Sequence, residues 1–320
     1  MDTTVGAAEK SGQERDTSPI VVGVDDRGRS TSAVVWAAEE ADQTGALVRL
    51  VSVQADQTRA EDPTAAHGLA ALARRLTLAD VEYRTRVGDV QDALLEAAEG
   101  AAVLVVGRRG RRAAQSLMVG STSMAVAGRS AAPVVVVPET WIQPNLSSAP
   151  IVVGVSSSLD LTHTRSADTG RGHQVLVYAF ARATRLRVPL IVVSAWQVPA
   201  LYARSPDDIA GCLRQFTEAL DRRLKPWKVL YPQVEVVARS VAEPPDQALL
   251  QAGLVAQLLV VGRHPGSHTG GLSRSSTTRS VLHRATRPVA VVPDAPFRDG
   301  PHDEIPRAQA ADSPTWAPMF

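Results

Sequence analysis

The residues whose types and spacing could bind a ligand lie together in one segment, from Gly107 to Arg129. Three glycines and two hydroxyl residues are spaced along it: Gly107, Gly110, Gly120, Ser121 and Thr122. It also contains five arginines and no acidic residue: Arg108, Arg109, Arg111, Arg112 and Arg129. Glycines let backbone N–H groups approach a ligand closely, and a helix start carries partial positive charge. The segment predicts a phosphate site, with an Arg-rich, solvent-facing turn as the alternative.

Two short apolar runs flank this segment and must position it. Val103–Val106 precedes the first glycine, and Val134–Val137 ends at Pro138. Continuous apolar runs of this length indicate strands that are covered on both faces. Between them, Ser121–Gly128 is predicted to form a helix that starts with the hydroxyl residues.

The preceding part of the chain alternates between strand and helix patterns. Predicted strands cover Ile20–Val24, Leu47–Val53 and Val81–Val87. Three helices are predicted between and after these strands. The first begins at Ser30 or Thr31 and ends near Gly45, the second covers Ala65–Ala79, and the third runs from Gly88-Asp89 to Gly100. Strands that alternate with helices predict an α/β fold, with a parallel sheet and helices on both faces.

Much of this pattern occurs twice. The sequence PIVVGV occupies Pro19–Val24 and Pro150–Val155, and VVGR occupies Val105–Arg108 and Val260–Arg263. Repetition over this length indicates an internal duplication. We expect a disordered tail over residues 1–18, a first domain over 19–140, a second domain over 149–295, and a disordered tail over 296–320.

Composition limits the classes of function. The 320 residues are 44% hydrophobic and 21% charged, with a net charge of +1 and one cysteine, Cys212. A dedicated nucleic-acid binder usually has a basic excess, so no nucleic-acid partner is expected. The apolar runs are too short to span a membrane, and residues 1–18 lack a secretory signal. We therefore expect a cytoplasmic protein without a membrane partner.

The spacing G-x2-G-x9-G-S resembles the ATP-binding signature of the universal stress protein family. The opening PIVVGVDDRGRSTSAVVWAAEEA, from Pro19 to Ala41, is similar to that family's first strand, acidic turn and first helix. The resemblance implies two tandem, Rossmann-like domains of the adenine nucleotide alpha hydrolase type. Each would be doubly wound, with five parallel strands in the order 3-2-1-4-5. It also implies ATP as ligand, with or without Mg²⁺, and a role in stress response.

The resemblance assigns roles to individual residues at the carboxyl ends of the strands, where doubly wound sheets bind ligands. Asp25 and Gly23 match the adenosine end, and Val53 matches the position that packs against adenine. Gly107 and Gly110 match the ribose and phosphate loop. Gly120, Ser121 and Thr122 match the phosphate cradle, and Arg108 and Arg111 can supply countercharge.

The second copy has lost most of this pattern. Without gaps, Gly262 aligns with Gly107, but Pro265 aligns with Gly110 and Ser275 with Gly120. Proline removes a backbone donor, and serine adds a Cβ where close contact is needed. We therefore expect one nucleotide per chain, bound by the first copy.

Three functions remain open on the sequence. The first is a nucleotide-binding protein that acts through regulation or an unidentified protein partner. The second is a slow ATPase, for which no second carboxylate beside Asp25 is evident. The third is a scaffolding member that binds no nucleotide.

The last strand of each copy predicts how the copies join. The fifth strand is an edge in the order 3-2-1-4-5, and an apolar edge tends to find a partner. Single-domain family members dimerise through it, so we expect Val134–Val137 to pair with Val289–Val292 within one chain. Val126 and Val281 should share this junction. The result would be an intrachain pseudo-dimer, and a homodimer through another surface stays open.

Overall fold

The computed structural model of the chain describes eight stretches of residues. These are 18–25, 30–54, 80–108, 121–142, 148–156, 173–196, 206–263 and 277–294. The predicted helix Ala65–Ala79 lies outside these stretches. Both predicted tails also lie outside them, except for Ser18, the last residue of the first tail.

The described residues of the first half form five strands and three helices. They are β1 (Ile20–Val24), α1 (Thr31–Thr44), β2 (Val48–Gln54), β3 (Val81–Val87), α2 (Val90–Ala97), β4 (Val103–Arg108), α3 (Ser121–Arg129) and β5 (Val134–Pro138). The predicted strand Leu47–Val53 is therefore shifted by one residue, so that Val53 is followed by one further strand residue, Gln54.

In the second half, the residues that the structure describes form five strands and four helices. They are β6 (Ile151–Ser156), α4 (His173–Leu186), β7 (Leu190–Ala195), α5 (Pro206–Leu230), β8 (Val236–Val241), α6 (Pro245–Gly253), β9 (Leu258–Gly262), α7 (Thr277–Arg284) and β10 (Val289–Val292).

All ten strands form one sheet, in the order β3-β2-β1-β4-β5-β10-β9-β6-β7-β8. Counted along the chain, each half has the order 3-2-1-4-5 that the resemblance implies. Neighbouring strands are parallel within each half, so their carboxyl ends lie at a common edge.

The two halves join through an antiparallel pair at the centre of the sheet. Val134, Val135 and Val136 of β5 lie opposite Val291, Ala290 and Val289 of β10. The predicted pairing of the last strands is confirmed. The backbone N–H and C=O groups of both strand edges, which would otherwise be exposed, thus pair with each other inside one chain.

Two apolar cores cover the two faces of the sheet. One core contains residues of α1, α4 and α5, including Trp36, Phe180 and Leu224. The other contains residues of α2, α3, α6 and α7, including Val126 and Val281, which are both fully buried. Each core continues across the junction, so burial as well as strand pairing holds the halves together. Among the described helices, none has the length and apolar character that a membrane span requires.

Local sequence signals account for several element ends. Gly45 ends α1 in the left-handed conformation, with φ of 68°, and its N–H bonds the carbonyl of Ala41. Asp89 caps α2, because its carboxylate accepts hydrogen bonds from the backbone N–H groups of Gln91 and Asp92. Both ends match the sequence expectation.

Candidate functional site

The candidate site lies where the carboxyl ends of β1 and β4 meet. These strands are neighbours, with Gly23 opposite Val106. The helix that follows β1 packs on one face of the sheet, and the helix that follows β4 packs on the other. The chain therefore diverges here, and the crevice outside such a switch point is where open α/β sheets bind ligands.

Asp25 follows β1 and is held at the crevice by Ser30. Its backbone N–H donates to Ser30 Oγ at 3.0 Å, and the Ser30 hydroxyl donates to Asp25 Oδ1 at 3.2 Å. Ser30 stands at the N-cap of α1, but its side chain makes no capping hydrogen bond to the helix. The helix therefore starts where the sequence predicts, at Ser30 or Thr31, but the Ser30 hydroxyl bonds the Asp25 carboxylate and does not cap the helix.

Gly23 has a packing role that the sequence did not indicate. It lies inside β1, and a Cβ at this position would come within 3.1 Å of Leu94 Cδ2 on α2. Gly154 is equivalent in β6, where a Cβ would meet Leu249 Cδ2 at 2.8 Å. In both halves the missing Cβ leaves room for a leucine side chain, which packs the helix onto the sheet. This packing is enough to explain why a glycine stands at each position, without contact to a ligand.

Val53 and Thr122 approach the crevice from β2 and α3. Val53 is partly buried near the carboxyl end of β2 and packs against the same core as Leu94. Thr122 is partly buried in the first turn of α3, a turn with no acidic residue. The start of this helix follows the strand that ends at the crevice, so its N–H groups are placed to favour an anion.

Part of the predicted phosphate loop is not placed by the structure. Gly110, Arg111 and Gly120 lie outside the described residues, as do Arg109 and Arg112. Ser121 is placed as the first residue of α3, and its backbone alone is described. Gly107 lies within β4, opposite Val137 of β5.

Arg108 is directed to the other half of the molecule. Its two terminal nitrogens donate to the backbone carbonyls of His283 and Ala285, at the carboxyl end of α7. Burial lowers the pKa of the Arg108 guanidinium from its usual value. The structure thus assigns Arg108 to the junction between the halves, where the sequence expected a phosphate ligand.

Arg263 makes the reciprocal contact from the second half. It directly follows β9, as Gly262-Arg263 matches Gly107-Arg108, and its Nη1 donates to the carbonyl of Ser130 at 2.7 Å. Ser130 directly follows α3. Each half therefore places one arginine on the final helix turn of the other, where the positive charge also suits the helix dipole.

The sequence model of the universal stress protein family matches residues 17–138 and 168–293. These two segments cover most of the chain and correspond to its two halves. This chain belongs to the universal stress protein family.

Relatives in this family are about 30% identical to the chain over roughly two thirds of its length. A universal stress protein of Mycobacterium tuberculosis is 30% identical over 199 residues, which are 62% of this chain and 64% of the relative. One of Mycolicibacterium smegmatis is 29% identical over 218 residues, or 66% of this chain and 68% of the relative. The chain thus spans less than two thirds of the length of the M. tuberculosis relative.

Solved structures agree with the fold. A universal stress protein from Archaeoglobus fulgidus has a TM-score of 0.61 at 17% identity, and the match covers 88% of this chain and 100% of that one. A functionally unknown protein from Pseudomonas aeruginosa also has a TM-score of 0.61 at 17% identity, with coverage of 87% and 93%.

In the second universal stress protein repeat, side chains of α5 contact the ends of β6 and β7. Ser156 stands where the first repeat has Asp25, and its carbonyl accepts a hydrogen bond from Arg223 Nη1 of α5 at 3.0 Å. Beside it, at the end of β7, the buried Trp196 stacks on Phe216 with ring centroids 4.4 Å apart. Sequence reasoning missed both contacts, because α5 brings Phe216 and Arg223 from a distant part of the chain.

In the second repeat, a side chain of α7 also contacts the end of β9. The hydroxyl of Thr278, in the first turn of α7, donates to the carbonyl of Gly262 at 2.8 Å. A Cβ at Gly262 would come within 3.0 Å of Val175 Cγ2 on α4. This glycine, which the second repeat shares with the first, therefore serves close packing of α4 against the strand.

A cavity of about 360 Å³ lies elsewhere, on the outer flank of the first repeat. It is lined by residues of β2, β3 and the α2 region: Arg49, Val51, Arg84, Arg86, Glu96, Ala97 and Glu99. Both signs of charge line it, and Glu82 holds Arg49 and Arg84 in ion pairs at its side.

Proposed function

We propose that this protein binds one adenine nucleotide per chain, in its first repeat, and acts in stress response by nucleotide-dependent regulation of a protein partner. The proposal includes no turnover of the nucleotide and places the protein in the cytoplasm. ATP is the nucleotide implied by the resemblance of the glycine spacing to the family's ATP-binding signature.

The observation that carries the proposal is the convergence of three features at one crevice. Asp25 is oriented there by Ser30, Gly107 lies on the adjacent strand, and α3 begins after that strand without an acid in its first turn. A carboxylate can accept hydrogen bonds from ribose hydroxyls, and a helix start attracts phosphates. The Asp25 carboxylate therefore suits the ribose end of a nucleotide, and the start of α3 suits its phosphate end.

The contrast between the repeats supports a single site. The first repeat has a carboxylate after its first strand, whereas the second has a carbonyl bonded to Arg223. The stacked Trp196 and Phe216 lie at the end of β7, which corresponds to the strand end proposed to face adenine. These contacts at the ends of β6 and β7 support the proposal that the second repeat binds no nucleotide.

Calorimetric titration of the full chain with ATP, ADP and AMP, with and without Mg²⁺, tests the proposal. We expect a stoichiometry of about one per chain. Gly120→Val should abolish binding by placing bulk against the phosphates, while the matched variant Ser275→Val should bind as the parent does. Two equivalent sites, or equal effects of the two variants, would contradict the assignment.

Asp25→Ala tests the adenosine end in the same titration. The loss of a charged hydrogen-bond acceptor should weaken binding by about tenfold or more. Asp42→Ala, which removes an exposed acid of α1, is the control. Unchanged affinity in Asp25→Ala would remove this residue from the site. Release of inorganic phosphate from bound ATP separates binding from slow hydrolysis, and absence of any nucleotide binding would favour the scaffolding alternative.

A further inference from the structure

Strand β3 is an exposed edge of the ten-stranded sheet. Because β5 and β10 pair with each other, the strands at the two ends of the sheet are β3 and β8. Five of the seven residues of β3 are exposed, and the other two are partly buried. Its backbone pairs with β2 on one side. On its opposite side, β3 pairs with none of the described strands, so its backbone there forms an edge of the sheet.

The charges along this edge are separated by sign. The acids Asp80 and Glu82 come first, and the bases Arg84 and Arg86 follow. All four alternate with uncharged residues, so they belong to one face of the sheet, the face that also carries Arg49. Asp80 and Arg86 are exposed and have no ion-pair partner among the described residues.

This order makes the edge complementary to itself when two copies run antiparallel. If Tyr83 lies opposite Tyr83 of a second copy, Asp80 faces Arg86, Val81 faces Thr85, and Glu82 faces Arg84. Two-fold symmetry repeats each of these pairs. Opposite charges on directly facing residues stabilise an antiparallel pair.

The charges favour this register over its neighbours and over the parallel arrangement. Centring the pair on Glu82 keeps two opposite-charge pairs, between Asp80 and Arg84, but puts two carboxylates opposite each other. Centring it on Arg84 keeps two pairs between Glu82 and Arg86, but puts two guanidinium groups opposite each other. Parallel pairing in register places acid against acid and base against base. Charged edges are commonly explained as protection against association, but here one arrangement gives opposite charges at every facing charged pair, whereas each other arrangement considered contains a like-charge pair.

We infer that β3 is a homodimerisation edge that pairs antiparallel with β3 of a second copy of this chain, with Tyr83 at the two-fold axis. The contact is isologous and closes after two copies, giving a twenty-stranded sheet with β8 at both ends. Because it depends on one short strand and exposed ion pairs, the association is weak and falls with increasing salt. This surface is separate from the proposed nucleotide site.

Sedimentation equilibrium of the full chain, without nucleotide, tests the inference over a range of concentrations and salt. The parent should form a dimer that dissociates as salt increases. Asp80→Arg and Arg86→Asp each replace two attractive pairs by two repulsive ones, and each should weaken the dimer by about tenfold or more. The double variant Asp80→Arg with Arg86→Asp should regain dimerisation, because the exchanged charges face each other again.

Mixing the two single variants gives the sharpest result. One variant has two bases at these positions and the other has two acids, so they should form a heterodimer although neither forms a homodimer. Arg239→Asp, on the exposed edge β8, is the matched control and should dimerise as the parent does. Circular dichroism confirms that each variant is folded.

A parent chain that stays monomeric at all concentrations would overturn the inference. So would a dimer that is indifferent to both single variants, since another surface would then hold it. Failure of the mixed variants and of the double variant to associate would reject the antiparallel register and with it the proposed edge contact.

Discussion

At the scale of single residues, the arginine after the fourth strand of each repeat connects that repeat to the other. Arg108 reaches the carbonyls at the end of α7, and Arg263 reaches the carbonyl at the end of α3. Helix ends leave carbonyl groups without intrahelical partners, and a guanidinium group can satisfy two at once. One residue type in the repeated VVGR sequence thus provides a cap and a cross-link together.

Replacing Arg108 with glutamine is expected to lower the free energy of unfolding by about 2 kcal/mol, because buried carbonyls lose charged donors. Nucleotide affinity should stay close to that of the parent. Urea denaturation and calorimetric titration measure the two quantities. Arg129→Gln, which removes an exposed ion pair with Asp92, should cost less than about 1 kcal/mol. If Arg108→Gln lost nucleotide binding but kept its stability, the guanidinium would belong to the ligand site.

At the scale of elements, a charged cluster joins α1 to α4 across the junction. Glu40 is buried and forms ion pairs with Arg182 and Arg185. The Arg182 guanidinium also lies 4.8 Å from the ring centroid of Trp36. If Trp36 is aligned with Tyr178, the same offset aligns Glu40 with Arg182. Equivalent positions of the two repeats therefore carry opposite charges, which favours pairing of unlike repeats.

Glu40→Gln is expected to lower the free energy of unfolding by about 3 kcal/mol, because Arg182 would remain buried without its charge partner. Adding Arg182→Met should recover part of that loss, since the unpaired charge is then removed. A double-mutant cycle from urea denaturation measures the coupling. The exposed Glu99→Gln serves as the control. Additive effects of the two substitutions would show that the ion pair does not stabilise the junction.

Glu39, beside this cluster on α1, predicts a pH dependence of stability. Burial raises the pKa of its carboxyl from 4.5 to about 7, with smaller contributions from Asp42 and Glu40 and an opposing one from Arg182. Between pH 4.5 and about 7 the folded chain binds more protons here than the unfolded chain does. Stability from this group is therefore greatest below pH 4.5 and falls as pH rises through that window.

Glu39→Gln removes that dependence. We expect the variant to be more stable than the parent at pH 8 by about 1 kcal/mol, after allowance for solvent screening of a half-buried side chain. At pH 4 the two proteins should differ little. Urea denaturation at both pH values gives the comparison. A parent whose stability relative to the variant rises with pH would contradict the sign of the effect.

At the scale of the whole molecule, one sheet and two continuous cores unite the repeats. Val135 lies at the middle of the β5–β10 contact, opposite Ala290, and is fully buried. A charge at this position would have no partner inside the core. The junction should therefore be the place where a single substitution separates the two halves most effectively.

Val135→Lys is expected to lower the free energy of unfolding by about 3 kcal/mol or more and to loosen one half from the other. Limited proteolysis should then cut the connection between the halves faster than in the parent. Arg129→Lys keeps the charge at an exposed site and should leave both measurements unchanged. Equal protection of Val135→Lys and the parent would show that the junction does not depend on this strand pair.

The sequence by itself determined the elements and their duplication. Apolar runs bounded by Gly and Pro predicted the strands, and local signals at Gly45 and Asp89 predicted helix ends. The elements are readable because they depend on composition and on interactions between residues close in the chain. The pairing of β5 with β10 was predicted from the apolar last strands together with the strand order and dimerisation mode that the family resemblance implies.

Only the tertiary structure decided what individual side chains contact. Arg108 was expected at a phosphate, but its partners lie 175 and 177 residues away in sequence. Ser30 or Thr31 was expected at the start of α1, but the Ser30 hydroxyl there bonds the Asp25 carboxylate, which folding brings within reach. Spacing along a chain shows which groups reach one crevice. Which partner each long or polar side chain takes depends on the competing donors and acceptors that folding brings within reach, and these come from distant segments.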